Sequence, residues 1–202
     1  AVCRWFMEEA VRRFDERNYE HLRFCSFYQG CESVPTAVSD EEEALFAAVN
    51  CEAHAMGLKA SWIPCYLGTG FARWKELGFD MACMQPNYAF SGQATIDRLY
   101  DNAATTKRLG MCVEIEINQY DSKADILRYK EYLAVGAETG YMNAVKVYYQ
   151  GGLPGEFYKA YLSDNKYINS IYHDTYAFAK GTFSEETETG RDEIVGCEDI
   201  EL

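Results

Sequence analysis

This sequence predicts an α/β fold of the (β/α) TIM-barrel type, and three observations carry that expectation. Five segments rich in apolar and aromatic residues alternate with segments of helical period. Four of the helical segments run into a glycine placed directly before a strand, at Met56-Gly57-Leu58, Leu77-Gly78-Phe79, Leu109-Gly110-Met111 and Thr139-Gly140-Tyr141. Glycine accepts the left-handed conformation that ends a helix, so each marks an α-to-β junction. The alternation recurs every roughly twenty to thirty residues, the spacing of parallel strands joined by right-handed crossovers. Five strands are too few for a closed barrel of eight. The expectation is a partial barrel with about five parallel strands and six helices.

Each element has its own local reason. Met7, Ala10, Val11 and Phe14 fall on one helical face between acids and arginines, so the chain opens inside or just before a helix. Leu22 to Tyr28 forms the first strand, and a loop containing Pro35 closes on Ser39-Asp40-Glu41-Glu42, a capping box. Leu45, Ala48, Val49 and Met56 carry the next helix to Gly57. Further strands follow at Lys59 to Tyr66, Phe79 to Tyr88, Met111 to Ile117 and Asn143 to Gln150. The last helix opens near Pro154, whose ring is preorganised for a first turn, and runs through Tyr161 toward Phe178.

An opening on a helix predicts that earlier strands precede it, making 1–183 the carboxyl-terminal part of a (β/α) barrel. After Phe183, eight acids face only Arg191, so that 184–202 is an acidic, mobile tail holding 8 − 1, or seven, of the thirteen net negative charges. An open sheet leaves two unpaired edges, which the missing upstream strands or a second copy would cover.

Composition narrows the partners. The chain has 202 residues, 48 % hydrophobic and 25 % charged, enough to bury a substantial core. No apolar run approaches the roughly 20 residues of a bilayer span, so no membrane insertion is expected. Nineteen Lys plus Arg against 32 Asp plus Glu give a net charge of -13, which repels phosphate backbones and excludes nucleic acid as a partner. Eight cysteines never fall as Cys-x-x-Cys and read as buried free thiols, which suits a reducing, cytoplasmic setting. His21, His54 and His173 lie before a strand or within predicted helices, so no metal site is predicted at the strand ends. With no Walker loop and no Gly-x-Gly-x-x-Gly turn, no cofactor is expected.

In parallel α/β folds the loops at the carboxyl ends of the strands carry function. Each of the five ends bears a tyrosine: Tyr28-Gln29-Gly30, Tyr66-Leu67-Gly68, Pro86-Asn87-Tyr88, Asn118-Gln119-Tyr120 and Tyr148-Tyr149-Gln150-Gly151. Aromatic faces beside amides suit a neutral carbohydrate ligand, because sugar C–H faces stack on rings while hydroxyls bond to amides. The binding candidates are Tyr28, Tyr66, Gln85, Asn87, Tyr88, Asn118, Tyr149 and Gln150. A plainer account is that tyrosine is abundant here, at sixteen copies.

The carboxylates are Glu32, a few residues past the first strand, and Glu114 and Glu116 on the fourth. Period-two alternation turns Val113, Ile115 and Ile117 one way and both glutamates plus Asn118 the other. Two carboxylates inside a core cost several kcal/mol unless paired, hydrogen-bonded or solvated. A structural ion pair with Lys146 on the next strand is the alternative reading for Glu114, whereas Glu116, nearer the carboxyl end, is the better candidate for chemistry. Paired acids across a cleft are the apparatus of glycoside hydrolysis, with Glu32 and Glu116 as the pair and Glu114 in reserve. Gly151-Gly152 is the feature a phosphosugar enzyme would use as a phosphate cradle.

Trp62-Ile63-Pro64-Cys65-Tyr66, Arg73-Trp74-Lys75-Glu76-Leu77-Gly78-Phe79-Asp80, Gln85-Pro86-Asn87-Tyr88, Gly110-Met111-Cys112-Val113-Glu114-Ile115-Glu116 and Tyr148-Tyr149-Gln150-Gly151 resemble the bacterial domain-of-unknown-function family 4855, from about Trp5 to Phe183. The resemblance implies a glycosidase-like (β/α) barrel, often exported, of which this chain is the carboxyl-terminal part. In the large clan of retaining glycoside hydrolases with such barrels, the acid/base follows strand four and the nucleophile lies on strand seven. Counted as the last five of eight, the strands put Glu32 and Glu116 at those places. The clan's acid/base follows an asparagine, whereas Cys31 precedes Glu32 here, and Glu114 replaces Glu116 after a two-residue shift. The reading is a retaining glycoside hydrolase-like domain acting on or binding a neutral glycan. Its alternatives are a catalytically silent glycan-binding barrel and a phosphosugar-processing barrel enzyme.

Overall fold

A computed structural model describes residues 1–34, 41–151 and 155–184. The predicted cap at Ser39-Asp40, the residues Gly152 and Pro154, and the acidic segment from Glu185 lie outside the described residues. In order come α1 (Val2–Glu16), β1 (Ser26–Gln29), α2 (Glu41–Ala55), β2 (Lys59–Trp62), β3 (Met81–Met84), α3 (Asp97–Leu109), β4 (Cys112–Ile117), α4 (Lys123–Thr139), β5 (Lys146–Gln150), α5 (Glu156–Leu162) and α6 (Lys166–Ala179). All ladders are parallel and the strand order is β1-β2-β3-β4-β5. A sequential order without reversal is that of a (β/α) barrel, whereas a doubly wound sheet reverses at a switch point. The fold is thus α/β of the TIM-barrel type, with five parallel strands and six helices among the described residues. No helix among them is long and apolar enough to cross a membrane.

The strands are shorter than their apolar runs because only residues with a ladder partner extend them. In β3, Met81 pairs with β2 through Ser61, and Cys83 pairs with β4 through Cys112. The junction glycines are left-handed as predicted, with φ of +74° at Gly57, +83° at Gly78, +66° at Gly110 and +94° at Gly140, but a 3-10 turn at Tyr141–Asn143 separates Gly140 from β5. Two helices differ from expectation. The segment ending at Gly78 holds one 3-10 turn, Phe71–Arg73, followed by further turns. Gly70 precedes that turn at φ +86°, its Cα so near Val34 that a Cβ would lie 2.6 Å from Val34 Cγ2. The last helix is in fact two, α5 and α6. Asn165 Oδ1 accepts from the Tyr167 and Ile168 amides at 2.9 and 3.3 Å, a cap that starts α6 afresh.

Two compact units divide the chain, 1–82 and 83–202. In the first, Trp62 is fully buried and stacks on Phe79 at 5.1 Å between ring centroids, with Phe46 edge-on to both. Asp80 ties the start of β3 to β2: its carboxylate accepts from Lys59 Nζ at 2.7 Å, the Ala60 amide at 2.9 Å and His54 Nε2 at 2.8 Å. In the second unit, Val113, Ile115 and Ile117 of β4 enter a core with Leu99 of α3, Ile126 and Leu133 of α4, and Ile171 of α6. Gly136 lets α4 approach closely, for a Cβ there would meet Tyr141 at 2.4 Å and Phe178 at 2.5 Å. Lys130 of α4 and Asp174 of α6 form an ion pair inside this unit, with side chains 0 % and 2 % exposed.

Removing one member of a buried pair leaves an uncompensated charge, whereas replacing both with apolar groups removes two desolvation costs. Lys130→Met should therefore lower the unfolding free energy by about 3 to 5 kcal/mol, and Lys130→Met with Asp174→Leu should restore it to wild type or above, in urea titrations. A second expectation concerns pH. Burial acts to raise the Asp80 carboxyl, but hydrogen bonds from Lys59, Ala60 and His54 prevail and hold it at about 2 against an ordinary 3.8. A folded value below the unfolded one contributes stability above the unfolded value, and that contribution is lost as pH falls through about 2. Asp80→Asn should flatten the stability profile over that acid limb.

Candidate functional site

Alternation along β4 sends Val113, Ile115 and Ile117 into the helix-packed core and Cys112, Glu114 and Glu116 to the other face. Both glutamates are buried, Glu114 at 6 % and Glu116 at 1 % exposure. What makes burial of Glu116 tolerable is Tyr132, which reaches it from α4. The Tyr132 hydroxyl accepts from the Tyr88 and Ala89 amides, each at 3.1 Å, and donates to Glu116 Oε2. A phenol has two acceptor lone pairs and one proton. With both lone pairs taken by amides, the proton has Glu116 as its destination. Burial first, then the charge of Glu116, pushes the Tyr132 phenol well above its ordinary value.

The loop after β3 is held to the same point. Asn87 sits at φ +52°, a left-handed conformation uncommon outside glycine, and its carbonyl accepts from Arg98 Nη1 at 3.3 Å. The Arg128 guanidinium of α4 lies 4.5 Å from the centre of the Tyr88 ring and donates to the Tyr88 carbonyl at 3.0 Å. The Tyr88 hydroxyl donates to Glu131 at 2.5 Å, and burial followed by that bond pushes its phenol up to about 12. Gln85 is buried beside this loop's start, at 7 % exposure.

Register settles the neighbours on β5. Glu116 pairs with Tyr149 and Ile117 with Gln150, so Tyr149 shares the face of Glu116 while Gln150 shares that of Ile117. Phe90 lies edge-on to Tyr149, with centroids 5.4 Å apart. Asn118 is exposed just beyond β4. Beside Glu116 is a hollow of about 10 Å³, lined also by Ala89, Asn118 and Arg128. That is room for one water.

Register also separates Glu114 from Lys146. Lys146 pairs with Val113 and so falls on the core face, where Nζ donates to the Met142 carbonyl at 2.5 Å and the Ala144 carbonyl at 3.3 Å. The Glu114–Lys146 ion pair is not formed. Gly151, at φ +64°, has a steric role: a Cβ there would stand 2.7 Å from the Asn118 carbonyl oxygen.

In the first unit, the segment after β1 is stitched to the loop after β2. The Glu32 carbonyl accepts from the Cys65 amide at 2.9 Å, the Val34 amide donates to the Thr69 carbonyl at 2.8 Å, and Trp62 Nε1 donates to the Cys31 carbonyl at 2.6 Å. Gly68 fits beneath, where a Cβ would meet the Glu32 oxygen at 2.9 Å. The Glu32 backbone is therefore pinned while its side chain is exposed. Burial, then the charge of Glu32, raises the Cys65 thiol. Tyr28 is exposed on β1, Tyr66 is half-buried, and Leu67 is left-handed at φ +53°. Glu32, Tyr28 and Tyr66 belong to the first unit, and the remaining candidates to the second.

Sequence reasoning missed Tyr132 and Arg128, the two side chains that organise the second unit's site. Their helical positions carried no motif, and the only available signal was a phenol and a cation on the helix that follows the strand of Glu116. Among the described residues no group of three His, Cys, Asp or Glu side chains is placed to hold a metal ion.

A family model described as "Domain of unknown function (DUF4855)" matches residues 1–177. No curated protein matches the chain.

The hydrogen bonds around Tyr132 predict the effect of deleting its hydroxyl. Tyr132→Phe leaves two loop amides and a buried carboxylate without that partner, at a cost of about 3 kcal/mol. Urea titration reads the cost, and hydrogen exchange should show faster exchange at the Tyr88 and Ala89 amides in particular. Unchanged protection at both amides would contradict the described network.

Proposed function

This chain belongs to the domain-of-unknown-function family DUF4855, and from that premise we propose that it is a retaining glycoside hydrolase-like domain whose ligand is a neutral glycan. The observation that carries the reading is Glu116, a carboxylate 1 % exposed near the carboxyl end of β4 and held by a phenol with no other use for its proton. A fixed, nearly dry carboxylate is a suitable nucleophile. In the proposed reaction Glu116 bonds to the anomeric carbon as the glycosidic C–O bond breaks, and an acid protonates the leaving oxygen. Water then attacks the glycosyl ester with the same acid, now deprotonated, as base. The resemblance assigns that acid/base role to Glu32. Tyr149 and Phe90 supply aromatic surface for a sugar face, and Asn87, Asn118 and Gln85 supply amides for hydroxyls.

A second reading, glycan binding without turnover, draws support from the hollow beside Glu116, which has room for one water rather than a sugar ring. The same experiment separates the two. On a panel of neutral glycans, Glu116→Gln should cut turnover at least about 1,000-fold while calorimetric binding persists. Turnover at the wild-type rate by Glu116→Gln would remove Glu116 from the mechanism. Binding by the wild type with no turnover of any bound glycan would establish the second reading.

A further inference from the structure

We propose that Cys83 and Cys112 form a reversible dithiol–disulfide site that locks β3 to β4. Among the described residues they are the one pair of cysteines matched across a ladder. Register partners on parallel strands point to the same face with Cα atoms about 4.8 Å apart. A disulfide needs a Cα separation of about 4.4 to 6.8 Å, so bridging asks for little backbone movement. Both residues are free thiols, and their register sets both side chains on one face of the sheet.

The two thiols are not equivalent, and their difference fixes the order of events. Cys112 is half-buried, whereas Cys83 is fully buried. Interaction with Cys83 lowers the Cys112 thiol, whereas interaction with Cys112 and burial raise Cys83. Cys112 is thus the thiol an oxidant reaches first, and Cys83 the resolving thiol. With a low-molecular-weight disulfide RSSR as oxidant, Cys112 Sγ attacks one sulfur and expels RS⁻, giving a mixed disulfide. Cys83, losing its proton to water, then attacks Cys112 Sγ and expels the second RS⁻. In sum, two protein thiols and one RSSR give one protein disulfide and two RSH. A small dithiol reverses the step. The bond would lie on the face of β4 that carries Glu114 and Glu116, yet it owes nothing to the hydrolase reading.

The test incubates the folded full chain in buffers of reduced and oxidised glutathione, alkylates remaining thiols in acid, and maps peptides by mass spectrometry. The expected product is a Cys83–Cys112 linked peptide, two hydrogens lighter than the free pair and cleaved by dithiothreitol. In Cys83→Ser, Cys112 should instead accumulate as the glutathione adduct. In Cys112→Ser, Cys83 should stay alkylatable only after unfolding. Wild-type protein in which Cys112 keeps glutathione, or in which both cysteines stay free while exposed Cys3 and Cys25 are modified, would overturn the proposal. So would a link that forms only in urea. The wild-type map decides the matter even if either variant fails to fold.

Discussion

One phenol organises the second unit. The Tyr132 hydroxyl gathers two backbone amides from the loop after β3 and the carboxylate at the end of β4. Three segments distant in sequence are fixed to a point by a group with no hydrogen-bonding capacity to spare. A carboxylate brought out of water without such a donor would cost several kcal/mol. With it, Glu116 has one orientation, and a site built on it is organised before any ligand arrives. Arg128 reinforces the same loop by lying over Tyr88 and bonding its carbonyl.

The rest of that unit explains why Tyr132 is itself immobile. Helix α4 is held on one side by β4 through the core of Ile115, Ile126 and Leu133, and on another by the buried pair of Lys130 with Asp174 of α6. Gly136 permits the close contact with Tyr141 and Phe178. Rigid elements thus carry the polar network. Left-handed non-glycine backbone falls instead in the connecting segments, at Asn18, Leu67 and Asn87.

How much could be read from residues alone depended on how local the cause was. The α-to-β junctions at Gly57, Gly110 and Gly140 were legible because one residue's φ decides each. The face of Glu116 was legible because alternation is a property of one strand. The turn before Gly78 was not, since the segment opens at Gly70, which packs on Val34 in a contact between loops that no helical period records. The break between α5 and α6 was signalled by Ser163-Asp164-Asn165, a cap sequence that the longer apolar period obscured. The supposed Glu114–Lys146 pair failed on register, for Lys146 stands opposite Val113 and shares its face. Tyr132 was invisible because nothing in a helix's own period says which strand end a phenol will meet.

Central to the site is the carboxylate of Glu116 beneath the Tyr132 hydroxyl, and carbon-13 NMR of glutamate side-chain carboxyls reads that directly. With Glu116→Gln used to assign the resonance, the wild type should show a carboxylate at neutral pH whose shift changes in Tyr132→Phe. A protonated Glu116 at neutral pH, or a resonance indifferent to loss of the phenol, would contradict it.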